Sequence, residues 1–170
     1  NNSGTFYTHG IREEIIYASG FFLTGFVHGS RRDAYVFNYS EYTPGPVNRT
    51  GMPDSLFRVY KIDRDGSGDW NSWPFELGAP SQKTKDGRDS LDAHGRKIPQ
   101  LFGDQTLWLV SNDFDVDKQY DASKHIAEVL GVELQTTIFG FREQENENMV
   151  FFNYKFLNKN DVEITNCYFM

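Results

Sequence analysis

Apolar residues along this chain fall in short runs, many of them alternating with polar ones, and glycine or proline separates one run from the next. From Ile15 to Val27 the apolar positions are dense, and Gly20 and Gly25 interrupt them where a bulge or a close backbone approach is expected. A His28-Gly29-Ser30 turn follows, then the β-forming run Ala34 to Tyr42, which stops at Thr43-Pro44-Gly45-Pro46 because proline removes ladder donors. Leu56 to Ile62 reads as a further strand, and so does Thr106 to Val110; each leads into an acidic loop. After Val132 to Phe141 and a polar turn over Arg142 to Asn148, Val150, Phe152, Tyr154 and Phe156 alternate with Phe151, Asn153, Lys155 and Leu157. That period of two predicts a hairpin with one fully apolar face. A last strand is expected over Val162 to Met170.

Two segments break the strand pattern. Gly78 to Gly103 has little periodicity and much Gly, Pro, Asp, Lys and Ser, as in a long excursion over the surface. Ser123 to Leu130 places Ile126, Val129 and Leu130 at helical spacing and predicts about two turns of helix. No heptad, low-complexity tract or repeat of about 20 to 50 residues is present. Seven or eight strands without βαβ alternation predict an all-β fold, an antiparallel β-sandwich with long Asp/Gly-rich loops. The expected organisation is one sandwich-like domain over residues 1–170, with a loop excursion over about 63–104.

Composition sharpens this picture. Aromatic residues make up 16% of the 170-residue chain and the apolar total is only 38%, so large rings must supply much of the buried area. Seventeen basic residues against 24 acidic ones leave a net charge of -7, which argues against a nucleic-acid phosphate backbone as partner and favours cations. No run reaches the ~20 apolar residues of a membrane helix. Cys167 is the single cysteine, which excludes an internal disulfide, and its place in an apolar run predicts a buried, inert thiol. The start at Asn1, without methionine or signal pattern, reads as a processed or excised one.

Eleven of the 14 aspartates lie between Asp63 and Asp121, and the densest motif is Asp63-Arg64-Asp65-Gly66-Ser67-Gly68-Asp69. Calcium takes roughly six to eight oxygens, and alternate side chains of a tight loop converge on one ion while glycine permits the bend. Asp63, Asp65, Ser67 and Asp69 occupy the oxygen-donor positions of an EF-hand-type loop, and Gly68 its glycine position. The closing glutamate is missing, since Pro74 stands there, so Glu76 or an acid of another loop would complete the shell. The competing reading is ordinary Asp/Gly turn chemistry with solvated carboxylates. Mutual repulsion of three aspartates favours a calcium ion. Asn112, Asp113, Asp115 and Asp117 form a looser version of the pattern, either a second contribution or an acidic surface turn. Asp86, Asp89 and Asp92 read as solvated loop residues neutralised by Lys83, Lys85, Arg88, Arg96 and Lys97.

Signals for catalysis are absent from the sequence: no HExxH, GxSxG, P-loop or GxGxxG occurs, and the expectation is a protein that is not an enzyme. Trp70, Trp73 and Trp108 read as core, with a sugar-stacking row beside the calcium loop as the alternative. Asn38-Tyr39-Ser40 and Asn48-Arg49-Thr50 fit the N-glycosylation pattern.

Several short motifs occur in order: Ile16-Tyr17-Ala18-Ser19-Gly20, Glu41-Tyr42-Thr43-Pro44-Gly45-Pro46, Val59-Tyr60-Lys61-Ile62-Asp63-Arg64-Asp65, Trp73-Pro74 and Gly78-Ala79-Pro80. They continue through Gly103-Asp104-Gln105-Thr106-Leu107-Trp108, Gly131-Val132-Glu133-Leu134-Gln135 and Phe151-Phe152-Asn153-Tyr154-Lys155-Phe156. Their order resembles a group of large, uncharacterised exported β-rich proteins of Bacteroidetes-like bacteria. The resemblance implies secretion, associated with the type IX system, and an extracellular or cell-surface location; it implies no activity. An apolar strand at Val162 to Met170 could add to the sheet of a neighbouring copy, or be a central strand of its own sheet. The function expected is an extracellular structural protein, calcium-stabilised and assembling with other copies of itself into a filament or surface layer. The alternative is a calcium-dependent carbohydrate-binding module, with cell-surface polysaccharide as partner.

Overall fold

The computed structural model describes residues 5–8, 12–16, 20–35, 42–48, 50–115, 128–143 and 145–170. The helix expected over Ser123 to Leu130 falls mostly outside these residues, and its described part, 128–130, is not helical. Strands β1 (Thr5–Thr8) and β2 (Arg12–Ile16) form an antiparallel hairpin. Strands β3 (Phe22–Val27), β4 (Ser30–Tyr35) and, from the far end of the chain, β10 (Thr165–Phe169) make a three-stranded sheet in the order β10-β3-β4. Strands β5 (Thr43–Pro44), β6 (Tyr60–Asp63), β7 (Gln105–Asn112), β8 (Val132–Gly140) and β9 (Val150–Asn158) make a five-stranded sheet. Its order is β5-β7-β8-β9, with β6 also on β7. Eight strands in antiparallel sheets of three and five give the all-β class that the alternating pattern predicts.

The chain divides into two compact units, residues 1–43, 113–131 and 160–170 in the first, and 44–112 and 132–159 in the second. In the first unit, Phe21, Leu23, Gly25 and Val27 are buried along one side of β3. Gly25 is there for the reason its place in the pattern suggests: a Cβ would collide with the Ile164 side chain, beside the register shift of β10. Asn166 sits in that bulge with φ +45°, a conformation asparagine tolerates better than most residues. The last strand pairs within its own chain, with Met170 N donating to Phe22 O at 3.0 Å, and it lies at the edge of its sheet. Cys167 is exposed there, which corrects the expectation of a buried thiol: in an edge strand of this sheet, the side chains of Thr165–Phe169 are all exposed.

The second unit is built on the face of β6–β9 that carries Tyr60, Ile62, Trp108 and Val110. Trp73, Leu77 and Ala79 close over these residues to make its core. Trp108 is 1% exposed and Ile62 fully buried, and Trp73 donates its indole N–H to Pro80 O at 3.0 Å. Trp73 and Trp108 are therefore core, as expected, and do not form a surface row.

The excursion after Gly78 is not a structureless loop. Its three limbs meet in a cycle of backbone bonds: Gln82 N donates to Ile98 O, Ser90 N to Gln82 O and Ile98 N to Ser90 O, at 2.9, 2.8 and 3.1 Å. Two turns join the limbs, and they share one design eight residues apart. Gly87 N bonds Thr84 O while Thr84 N bonds Arg88 O; Gly95 N bonds Asp92 O while Asp92 N bonds Arg96 O. Gly87 and Gly95 have φ +82° and +75°. That is a type I turn closed by a left-handed glycine, one of the common three-residue hairpin connections.

Candidate functional site

The aspartate motif at 63–69 follows β6 directly, and its backbone repeats the turn just described. Gly66 N bonds Asp63 O and Asp63 N bonds Ser67 O, both at 3.0 Å, with Gly66 at φ +88°. The chain then doubles back along β6: Gly68 bridges Ile62, and Asp69 N donates to Lys61 O at 2.7 Å. A Cβ on Gly68 would collide with the Lys61 carbonyl, so glycine is required for the close return.

Each carboxylate of the motif meets donors of its own unit. Asp69 receives a bidentate pair from Arg58, at 2.7 and 3.0 Å, together with Lys61 N at 2.9 Å and Ser72 Oγ at 3.2 Å. The Arg58 guanidinium, the largest influence, helps hold the Asp69 carboxyl down at about 2. Asp63 is buried and accepts from Gln105 Nε2 at 2.6 Å and Ser67 Oγ at 3.2 Å, with Lys61 Nζ 3.3 Å away. The Gln105 bond in first place, with Lys61 and Ser67 assisting, keeps its carboxyl below the usual range. Asp65 accepts from Ser67 N at 2.9 Å. Its carboxyl is lowered by hydrogen bonds from Ser67.

In this geometry the oxygens of the loop are engaged by donors of the protein itself. Both oxygens of Asp69 are committed to Arg58, Ser67 donates to Asp63 where it would coordinate, and the exposed Glu76, on the 3-10 turn Phe75–Leu77, joins none of the loop's hydrogen bonds. Among the described residues no three His, Cys, Asp or Glu side chains group as metal ligands. Arg58 and Lys61, which precede the motif in sequence, place positive charge beside Asp69 and Asp63.

The second acidic segment is dispersed. Asn112, in the second unit, donates to Gly45 O at 2.9 Å and to Pro46 O at 3.4 Å, fastening the proline turn. Asp113, in the first unit, is fully buried and accepts from Gly131 N at 3.1 Å. Asp115 accepts from Thr43 Oγ1 at 3.3 Å. Asp117 lies outside the described residues.

Two further features of the second unit bear on function. The first is the outer surface of β9. Cross-strand partners place Val150, Phe152, Tyr154 and Phe156 on the side of the sheet away from Trp108. Val150 is 60% and Phe152 55% exposed, with Phe152 and Tyr154 stacked at 6.0 Å. The alternating pattern identified this face as apolar; the structure exposes its Val150 and Phe152 end, while Tyr154 and Phe156 are half-buried. The second feature is a cleft of about 400 Å³ on the opposite side of the same strands, between the sheet and the excursion. No helix among the described residues is long and apolar enough to cross a membrane. No family model matches the chain, nor does any curated protein or solved structure.

Proposed function

We propose that this is a structural protein that associates with other copies of itself by strand addition at β9. The observation that supports this reading most is the coincidence, in one nine-residue strand, of an edge position and an exposed apolar surface at Val150 and Phe152. An edge strand offers backbone donors and acceptors to another chain, and proteins that remain single blunt such edges with charge or proline. Val150 to Tyr154 has neither. The first unit also presents an edge strand, β10, with Tyr168 exposed. Two unlike edges on one chain favour head-to-tail contacts, which continue into open filaments when the rotation does not close. An extracellular or cell-surface location rests on the sequence resemblance alone.

Sedimentation velocity across a concentration series tests the proposal. The wild type is expected to shift to larger species with concentration, and Phe152→Asp to stay at the single-chain value; a wild type that stays monomeric throughout contradicts it. Calcium joins the proposal in one form, as an ion at the Asp63 loop that displaces Arg58 from Asp69 and Lys61 from Asp63. Its effect on the melting temperature, read between calcium and chelator, is expected to be larger in Arg58→Ala than in the wild type. No shift in either protein removes the ion from the account.

A further inference from the structure

The cleft beside β9 is positively charged in an acidic protein. Lys83, Lys97 and Lys155 line it against a single carboxylate, Asp89. Asp89 pairs with Lys83 and, at 2.8 Å, with Lys97. Three ammonium groups against one carboxylate leave an excess of two positive charges at this spot, in a chain whose net charge is -7. Hydrogen bonds from Lys83, Lys97 and Ser81 hold the Asp89 carboxyl far below its usual range, so it stays ionised and offers no proton to a ligand.

The floor of the cleft is set by strand register. Thr137 of β8 stands directly opposite Asn153 of β9, and Gln135 opposite Lys155, so these four side chains share one face of the sheet. Gln135 uses its amide N–H groups within the protein, on Leu77 O and Glu133 Oε1. Thr137, Asn153 and Lys155 make no side-chain hydrogen bond or ion pair with the described residues. Thr137 is 7% exposed and lines the cleft. Asn153 and Lys155 are exposed, and with Thr137 they place three polar groups, free of partners among the described residues, on one open cleft where a ligand can meet them. The walls add apolar surface, since Phe75 and Phe102 line the same cleft and are half-buried.

We infer that this cleft binds a carboxylate-bearing sugar, a uronic acid unit of an acidic saccharide. Its carboxylate meets Lys155 and Lys97, its hydroxyls meet Thr137 and Asn153, and the C–H face of its ring lies against Phe102 and Phe75. An ordinary inorganic anion would use the lysines and leave the rings, the hydroxyl and the amide without a role. A neutral sugar would leave the ammonium groups without one. The volume lies within the range of small-ligand sites, roughly 300 to 1,000 Å³. The site is separate from the proposed association surface, because Asn153 and Lys155 face the cleft while Phe152 and Tyr154 point to the other side of the strand.

Titration calorimetry on the full chain tests this with three probes at matched ionic strength: digalacturonate, the neutral disaccharide of galactose with the same linkage, and inorganic sulfate. Digalacturonate is expected to bind about tenfold or more tighter than either of the others, and Lys155→Ala to weaken it about tenfold. Asn153→Ala is expected to weaken it less, and Phe152→Asp to leave it unchanged. Lys155 and Asn153 are exposed, so both variants are expected to melt with the wild type, which separates lost binding from lost folding. Digalacturonate that fails to bind, or that binds no tighter than the neutral sugar, overturns the inference. Sulfate that competes equally overturns the sugar assignment, and binding indifferent to both Lys155→Ala and Asn153→Ala overturns the location.

Discussion

The two faces of the β7–β8–β9 sheet carry similar chemistry in sequence and are covered to different extents in the fold. One presents Thr106, Trp108 and Val110 and is closed by Trp73, Leu77 and Ala79; the other buries Val132 and Leu134 of β8 but presents Val150 and Phe152 of β9 to solvent. Apolar content therefore does not by itself tell which face becomes core. What decides it is the chain available to cover the face: the segment after β6 supplies two tryptophans, and the excursion that follows folds into its own hydrogen-bonded cycle on that side. Exposed apolar surface at a sheet edge is what association surfaces are made of, and monomeric proteins keep such surface small.

Substitutions on the two faces should differ accordingly. Trp108→Ala removes a side chain that is fully buried, and it is expected to cost about 3–5 kcal/mol of stability, read as a fall in the denaturation midpoint. Gly68→Ala strikes next, because a Cβ would collide with the Lys61 carbonyl at a backbone held at φ +96°; a loss of about 1–3 kcal/mol is expected. A midpoint unchanged by Gly68→Ala would mean that the return of the loop along β6 contributes nothing.

Asp69→Asn should cost less, about 1 kcal/mol, because the Arg58 pair is partly exposed and screened by solvent. The sign of its pH dependence follows from the depressed carboxyl, at about 2 in the folded protein against 3.8. The stabilisation is fully present above about 4 and is lost as pH falls towards about 2, so wild type and Asp69→Asn should converge in acid. A gap between the two that widens as the pH falls contradicts this assignment. Phe152→Asp should be the mildest for folding, within about 0.5 kcal/mol of wild type, because its side chain is more than half exposed. Its effect belongs to association.

The strands were legible because alternation and glycine breaks are local signals; β7, β8 and β9 lie within a few residues of where the pattern puts them. Gly25 was legible for the same reason. The aspartate motif shows what a local reading leaves out. Asp63, Asp65 and Asp69 read as a ligand set when counted by themselves, and a count along the motif does not show that Arg58 pairs with Asp69 and Lys61 with Asp63. The turn itself recurs at Thr84–Gly87 and Asp92–Gly95, and the spacing of eight between Gly87 and Gly95, and between Arg88 and Arg96, was a signal present in the sequence. The cleft was not legible, since Lys97 and Lys155 are far apart along the chain and only the register of β8 on β9 and the excursion above them bring them to one place.

The central claim is that the outward face of β9 joins copies of this chain. The most direct test is sedimentation velocity of wild type and Phe152→Asp over the same concentration series, with circular dichroism to verify the fold of both. The account predicts concentration-dependent growth in the wild type and its loss in a folded Phe152→Asp. A folded Phe152→Asp that associates as the wild type does would contradict it.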